Sequence, residues 1–238
     1  MNLYMNKIVE FYTNNYDEDT RLVRHRTEFI TTTYILNKLI EVGSRILDLG
    51  AGTGIYSIYY ANRGCSVIAI DIVPKHIEIL NSKLRTFQNL DISAEVGDAE
   101  DLSRFREDSF DVVLCMGPLY NLQETDSCIK ECLRVLRSKG IIAASYVKKN
   151  TPYEQDNEYK ELFVSHTPEE IDQLFQDCEI EPIYNVPTDG VPFIELDEFI
   201  KDYTTEMDKL HSWLETHQSV FQKLDSIFIH GLYVGRKP

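Results

Sequence analysis

The stretch Arg45-Ile46-Leu47-Asp48-Leu49-Gly50-Ala51-Gly52-Thr53-Gly54-Ile55-Tyr56-Ser57 decides the fold of this chain. A short apolar run containing Asp48 ends at three glycines placed at every second position, and apolar residues at helical spacing follow them. This pattern predicts a strand, a tight turn and a helix. Glycine lets the backbone take positive φ and come close to a ligand, toward which the free N–H groups of the new helix point.

Two kinds of nucleotide-type ligand compete for this turn. The dinucleotide fingerprint Gly-x-Gly-x-x-Gly requires a last glycine where this chain has Ile55, which counts against a nicotinamide or flavin cofactor. Asp48 would repel a pyrophosphate, whereas it would attract a cation. A tight turn that binds nothing is the third interpretation, because a glycine-rich turn is a weak signal by itself.

Predicted strands and helices alternate beyond the turn as far as residue 147. The predicted strands are Ser66 to Ile70, Ile92 to Val96, Phe110 to Cys115 and Ile141 to Val147, and the helices are Gly54 to Asn62, Pro74 to Phe87 and Thr125 to Arg137. Repeated β-α-β units give a parallel sheet with helices on both faces. The predicted fold class is therefore α/β, with a Rossmann-like, doubly wound and mostly parallel sheet.

Several predicted strands end in residues that can contact a nucleoside. Asp71 lies at a distance from the first glycine that suits a carboxylate accepting both ribose hydroxyls, and Ile72 offers adenine an apolar face. Asp98 can accept from the adenine amine while the N–H of Ala99 donates to the ring. Taken singly, each of these acids is also an ordinary residue of a turn or a strand end.

Four segments together are more specific. Leu47 to Gly54, Val67 to Asp71, Gly97 to Leu102 and Phe110 to Met116 resemble, in order and separation, four motifs of the class I S-adenosylmethionine-dependent methyltransferases. The resemblance covers about residues 40 to 150. The cofactor contacts it implies are Asp48, Gly50, Ala51 and Gly52 at the methionine part, Asp71 and Ile72 at the ribose, Asp98 and Ala99 at adenine, and the backbone of Met116 at the amino end.

The exit of the fourth strand, Met116 to Leu122, lies where members of this family meet their acceptor. Members that methylate exocyclic amines of bases often show a polar residue, two prolines and an aromatic residue here. This chain has Gly117 and Leu119 in two of those places, which puts base methylation in doubt and leaves Tyr120 in register. Tyr120 is expected either to wall the methyl group or to pack at the start of a helix.

Two segments are additional to the predicted core. We expect a single methyltransferase domain with a helical cap at 1–43, a core at 44–195, a helical lid insertion at 196–225 and a last strand in 226–238. The cap is read as helices Lys7 to Tyr16 and Thr20 to Val42, from which Tyr12, Tyr16 or Arg21 can reach the cofactor or simply pack. Tyr16 is taken as substrate-proximal. Both additions are amphipathic, so they are predicted to close over the methyl group, unless they thicken the core or form a dimer contact.

Composition limits the class of partner. The chain has 238 residues, of which 43% are hydrophobic, and this suffices for one domain with a full core. A net charge of −15 opposes a nucleic-acid partner, because such proteins bind phosphates through Lys and Arg. No apolar run has membrane-spanning length and the N-terminus lacks a signal-peptide pattern, so we expect a cytoplasmic protein without a membrane partner.

The cysteines predict core thiols and not a metal site. Cys65, Cys115, Cys128, Cys132 and Cys178 are scattered, without Cys-x-x-Cys or Cys/His spacing. Cys128 and Cys132 share one helix face at i, i+4, but no histidine nearby in the sequence completes a set of ligands.

The predicted function is transfer of a methyl group from S-adenosylmethionine to a small-molecule acceptor by in-line displacement. A non-catalytic S-adenosylmethionine-binding protein would share every motif and remains open. An NAD-dependent oxidoreductase is the other alternative, and Ile55 and Asp48 oppose it. No catalytic base is assigned, because single histidines such as His25, His166 and His230 are most often structural.

Overall fold

The computed structural model describes residues 3–19, 26–87, 89–151, 161–189 and 229–238. In chain order the elements are α1 (Leu3–Asn14), α2 (Arg26–Leu36), β1 (Arg45–Leu49), α3 (Ile55–Asn62), β2 (Ser66–Asp71), α4 (Pro74–Leu84), β3 (Ile92–Val96), β4 (Phe110–Cys115), α5 (Pro118–Asn121), α6 (Asp126–Val135), β5 (Leu136–Lys148), β6 (Ser165–His166), α7 (Pro168–Gln176), β7 (Glu181–Pro187) and β8 (His230–Arg236). The predicted insertion at 196–225 lies outside these residues.

The strands form one open sheet in the order β3-β2-β1-β4-β5-β8-β7, and β6 pairs with the end of β5. Strands β1 to β5 pair in parallel, whereas β8 runs antiparallel to both β5 and β7. The winding reverses between β1 and β4, because the chain first moves outward to β3 and then returns to the other side of β1. The α/β fold with a Rossmann-like, doubly wound and mostly parallel sheet is therefore confirmed.

A hydrophobic core lies on each face of the sheet because successive side chains of a strand point to opposite faces. Ile46 and Val112 pack with α2 and α3 on one face. Leu47 and Val113 pack with α6 and α7 on the other. Burial on both sides explains why the central strands are almost continuously apolar.

The boundary between α6 and β5 differs from the prediction. The helix ends at Val135 and the strand begins at Leu136, which pairs with Phe110 before a register shift brings Ile141 opposite Val112. Leu136 is fully buried and continues the helical spacing of apolar residues, so a prediction from periodicity alone places the end of the helix too late. Pairing with β4, a long-range interaction, ends it instead.

The helix predicted over Thr20 to Val42 ends earlier in the structure than in the prediction. Its described part, α2, stops at Leu36, and a turn follows in which Leu39 N–H donates to Leu36 O at 3.0 Å. Ile40 is buried beneath this turn, which explains why the apolar spacing continued past the helix. Residues 20–25 lie outside the described residues, as do residues 226–228 of the segment predicted to hold the last strand. The short elements α5 and β6 were not predicted, since they are too brief to show a period.

Candidate functional site

The glycine turn packs against the start of α5 at the point where the winding reverses. Gly50, Gly52 and Gly54 have φ of 68°, 55° and 87°, values that side chains other than glycine rarely adopt. A Cβ on Gly50 would lie 2.9 Å from Pro118 Cδ and 3.2 Å from the Gly117 backbone. Only glycine therefore allows β1 and β4 to end this close together.

A cavity opens at this point, outside the carboxyl ends of the strands. It is lined by eight of the eleven residues that the sequence selected: Gly50, Gly52, Asp71, Ile72, Asp98, Ala99, Met116 and Tyr120. They come from four separate strand ends, which the parallel sheet brings to one edge.

The other three residues lie near the cavity but do not line it. Asp48 is fully buried below the turn, where the Ser57 hydroxyl donates to its Oδ2 at 2.5 Å. Ala51 packs with Ala69 beneath the turn. Tyr16 stacks on Phe11, with ring centroids 5.6 Å apart, and lines a neighbouring hollow.

Asp48 has an unusual environment for a carboxyl group. Its Oδ1 has no hydrogen-bond partner among the described residues. Burial raises the pKa of Asp48 to about 7, the hydrogen bond from Ser57 opposes the shift, and the negative charge of Asp71 adds to it. Asp48 therefore holds its proton to a higher pH than an exposed carboxyl group does.

Asp71 holds the site together as well as lining it. Its Oδ2 accepts from Gly52 N–H at 2.8 Å, and its Oδ1 accepts from Val73 N–H at 2.8 Å. His76 Nδ1 lies 3.2 Å from the same Oδ1, and the His76 Nε2 has no partner among the described residues. The carboxylate thus joins the glycine turn to the start of α4. Sequence reasoning missed His76, although its place one turn into a helix that Pro74 opens was a usable signal.

The N-terminal helix forms part of the wall. Met5, Ile8 and Tyr12 line the cavity, and Glu18 reaches over the glycine turn, where a Cβ on Gly52 would lie 3.1 Å from its Cγ. The sequence offered Tyr12 as a candidate but did not select the other three. Met5 and Ile8 reach the site through the packing of α1, and Glu18 through the turn that follows this helix, which local spacing does not reveal.

The side chain of Tyr120 is hydrogen-bonded to the backbone of Met116. The Tyr120 hydroxyl donates to Met116 O at 3.0 Å, and Met116 N–H donates to Leu49 O at 3.0 Å. A ligand can therefore use the second lone pair of the Met116 carbonyl, whereas its N–H is occupied. His166 supports this loop from behind, with its Nε2 3.1 Å from Leu119 O.

The histidines named as possible bases have structural partners where they are described. His166 contacts the α5 backbone, and His230 Nδ1 lies 2.5 Å from Asp189 Oδ2 and 3.8 Å from Glu28 Oε2. Coulombic attraction and hydrogen bonding by His230 lower the pKa of Asp189 against the opposing effect of burial. His25 lies outside the described residues.

The five cysteines are free thiols. Cys115 of β4 approaches Cys128 and Cys132 of α6, with the three sulfur atoms within 4.8 Å of one another and all three side chains fully buried. The pKa values of all three groups lie well above the usual range, because hydrogen bonds among the thiols act in both directions and burial raises every one of them. Metal ligation needs thiolates, so this environment favours packed neutral thiols.

Comparisons with known proteins concern the family and the fold. Residues 47–144 match a protein family described as methyltransferase domain. The ubiquinone biosynthesis O-methyltransferase of Xanthomonas oryzae pv. oryzae (strain PXO99A) is 29% identical over 126 residues, which cover 52% of this chain and 52% of that protein. The chain thus spans about half the length of the curated relatives it matches.

Solved structures share the fold over more of the chain. An S-adenosylmethionine-dependent methyltransferase of Methanosarcina mazei superposes with a TM-score of 0.60 at 18% identity, covering 85% of this chain and 96% of that one. Phosphoethanolamine N-methyltransferase 2 of Haemonchus contortus, in complex with S-adenosyl-L-methionine, gives a TM-score of 0.67 at 17% identity, covering 97% of this chain and 60% of that one.

The doubly wound fold and the cavity at its reversal point agree with the match of residues 47–144 to the methyltransferase domain. The match covers residues 47–144, which is less than half of the chain. Among the described residues, no helix has the length and apolar character needed to cross a membrane.

Proposed function

We propose that this protein transfers the methyl group of S-adenosylmethionine to a small-molecule acceptor. The observation that carries the proposal is the cavity in which Gly50, Asp71, Asp98 and Tyr120 meet at the point where the winding reverses. Ligands of doubly wound sheets bind at such points.

The residues present fit this cofactor. Carboxylates of Glu18, Asp71 and Asp98 line the cavity, and Asp48 lies beneath it. These groups attract the ammonium and sulfonium of S-adenosylmethionine, whereas they would repel the pyrophosphate of NAD. The missing Cβ atoms of Gly50 and Gly52 leave room for the methionine part.

The chain itself has to position the reactants. The cofactor supplies an electrophilic methyl group, and displacement at carbon needs a nucleophile held in line with it. The large side chains of Tyr12 and Tyr120 line the cavity together with Gly117, and the hydrogen bond from the Tyr120 hydroxyl to Met116 O fixes one of them. Such alignment in a dry pocket can supply most of the catalysis. No described residue is assigned as a base.

A small acceptor is favoured over a polymer. The net charge of −15 opposes nucleic acid, and α1 already covers one side of the cavity. We infer that 1–43 and 196–225 complete the cover, and that Tyr16 lies near the acceptor. The relatives named above carry O-methyltransferase and N-methyltransferase names, so both oxygen and nitrogen acceptors are compatible with the family. The expected cytoplasmic location remains a prediction.

Calorimetry with S-adenosylmethionine, S-adenosylhomocysteine and NAD tests the cofactor. We expect the first two to bind and NAD not to bind. Asp71→Ala should weaken both by about 1 to 3 kcal/mol, because a charged acceptor is removed. Asp71→Asn is the matched control: it keeps one acceptor oxygen and should lose less. Tight NAD binding, or unchanged affinity in Asp71→Ala, would contradict the proposal.

Mass spectrometry tests turnover. The protein is incubated with S-adenosylmethionine and a small-molecule extract, and products heavier by one methyl group are sought together with S-adenosylhomocysteine. Their appearance supports the enzyme. Cofactor binding without any product, across extracts of varied source, would support the alternative of a non-catalytic S-adenosylmethionine-binding protein.

A further inference from the structure

The loop between β3 and β4, residues 97–109, carries the adenine end of the proposed site. Its first residues, Gly97, Asp98 and Ala99, line the cavity, and the loop has no regular secondary structure. Local bonds shape it: Asp98 Oδ1 accepts from Glu100 N–H at 2.9 Å, and Leu102 O accepts from Phe105 N–H at 2.8 Å. The start of the loop is tied to the sheet by Gly97 N–H, which donates to Asp71 O at 3.1 Å, and Arg104 pairs with Glu95 of β3 at 2.8 Å. The local bonds alone do not place the residues between these two points relative to the sheet.

Helix α6 holds this loop from outside the cavity. Glu131 Oε2 accepts from Leu102 N–H at 2.9 Å, and Arg134 Nη2 donates to Leu102 O at 2.8 Å. Arg134 Nη1 donates to Phe105 O at 2.9 Å. Both polar groups of the Leu102 backbone are thus bound by the same two side chains, which we call the Glu131–Arg134 clamp.

The two side chains of the clamp hold each other in a fixed orientation. Arg134 Nε lies 2.6 Å from Glu131 Oε1, and Nη2 lies 2.8 Å from Oε2, a two-point pairing that fixes the plane of both groups. The side chains are only 26% and 23% exposed. The hydrogen bond from Arg134 lowers the pKa of Glu131, so the pair is ionised at neutral pH.

We propose that Glu131 and Arg134 are positioning residues that set the cofactor site's selectivity for adenine. The proposal rests on the proposed function, because it takes Asp98 as the acceptor of the adenine amine. A hydrogen bond to that amine needs Asp98 placed to within a few tenths of an ångström. The clamp grips the backbone four residues further along the loop, and it transmits the position of α6, which packs against β4 and β5, to that carboxylate.

The test compares two ligands that differ only at the group Asp98 would read. S-adenosylhomocysteine carries the exocyclic amine, whereas its purine-riboside analogue carries a hydrogen atom in its place and keeps N1 as an acceptor. The wild-type protein is expected to prefer the adenine compound. In Arg134→Ala the ratio of the two dissociation constants should fall at least threefold toward one, with kcat at saturating cofactor within twofold of wild type. Glu131→Gln keeps an acceptor for Leu102 N–H and should lose less of the ratio.

Arg137→Ala is the matched control. It removes one cation near the same helix, where Arg137 pairs with Asp111 at the surface, and should leave the ratio unchanged. If Arg134→Ala does not fold, Arg134→Lys is used, because an ammonium cannot reproduce the fork that binds two carbonyl groups and the carboxylate.

Three outcomes would overturn the inference. Equal weakening of both ligands in the clamp variants would mean that the pair only stabilises the fold. An unchanged ratio would mean that Asp98 is placed by the loop alone, and a wild-type protein without any preference would mean that the amine is not read. If neither ligand binds the wild type, the proposed function itself fails.

Discussion

At the scale of single residues, Asp48 shows how burial changes what a motif residue does. The sequence suggested a carboxylate that attracts the cofactor's cation. In the structure the group lies below the glycine turn, bonded to Ser57 and close to the charge of Asp71, and its pKa is raised to about 7. Its influence on a bound cation therefore depends on pH across the neutral range.

The free energy of unfolding should also depend on pH through Asp48. The folded-state pKa of Asp48 lies above the unfolded value of about 3.9, so the folded protein keeps a proton that the unfolded chain loses between about pH 4 and pH 7. The contribution is fully present below pH 4 and is lost as pH rises through 7. Asp48→Asn removes this pH dependence, because an amide does not titrate. Between pH 5 and pH 8 the free energy of unfolding of the variant should therefore rise by about 2 to 3 kcal/mol relative to that of the wild type.

Urea unfolding of both proteins at several pH values measures this difference. Ser57→Ala is an informative second variant, because losing the bond that lowers the pKa should move the inflection to higher pH. A difference between Asp48→Asn and wild type that stays constant with pH would contradict the shifted pKa.

At the scale of elements, the junction between the glycine turn and α5 joins cofactor binding to the acceptor side. Gly50 belongs to the turn, Gly117 precedes the helix, and their backbones are in close contact. Tyr120 on α5 is bonded to Met116 at the end of β4. A change in the turn should therefore move the wall that faces the acceptor.

Gly50→Ala and Gly43→Ala separate this contact from backbone strain. Both glycines have positive φ, 68° and 85°, so alanine should cost about 1 to 2 kcal/mol of stability at either site. A Cβ at Gly43 meets nothing within 4 Å, whereas at Gly50 it meets Pro118 Cδ at 2.9 Å. Gly50→Ala should also weaken the binding of S-adenosylhomocysteine by at least about tenfold, whereas Gly43→Ala should weaken it by less than about twofold.

Thermal unfolding and calorimetry on the two variants provide the measurements. Equal affinity losses would show that strain alone is responsible. Preserved affinity in Gly50→Ala would show that α5 can shift without disturbing the cofactor site.

At the scale of the whole molecule, Asp189 and Ile229 lie next to each other. They flank residues 190–228, which are outside the described residues. Asp189 Oδ1 accepts from Ile229 N–H at 2.9 Å and from His230 N–H at 3.0 Å, and its Oδ2 lies 2.5 Å from His230 Nδ1. Glu28 of α2 is 3.8 Å from the same nitrogen. Asp189 after β7 and His230 at the start of β8 are thereby held together, and Glu28 of α2 lies beside them.

Because these ends meet, a short link can replace much of what lies between them. Exchanging residues 196–225 for a brief Gly/Ser linker should leave the core folded and cofactor affinity within a few-fold, since the proposed cofactor contacts, from Asp48 to Met116, all precede that segment in the sequence. Turnover should be lost, because the methyl group would face water. Circular dichroism checks the fold, and calorimetry and product formation are measured separately. Unchanged turnover on the same acceptor would refute the lid.

The sequence by itself determined the features that depend on local pattern. Apolar runs ending at Gly50, Asp71, Gly97 and Met116 predicted four parallel strands, and the ends of parallel strands necessarily share one edge. This is why eight of the eleven selected residues line one cavity. Spacing also excluded the dinucleotide fingerprint at Ile55 without any knowledge of packing.

Tertiary structure alone decided which side chains from distant segments complete the site. Glu18, Arg134 and the third buried thiol, Cys115, act across long stretches of chain, and their placement depends on how helices pack on the sheet. The same holds for Asp48, whose raised pKa comes from the absence of water and not from its neighbours in the sequence. Periodicity records which face of an element is apolar, whereas contacts and dielectric environment arise only when those faces meet.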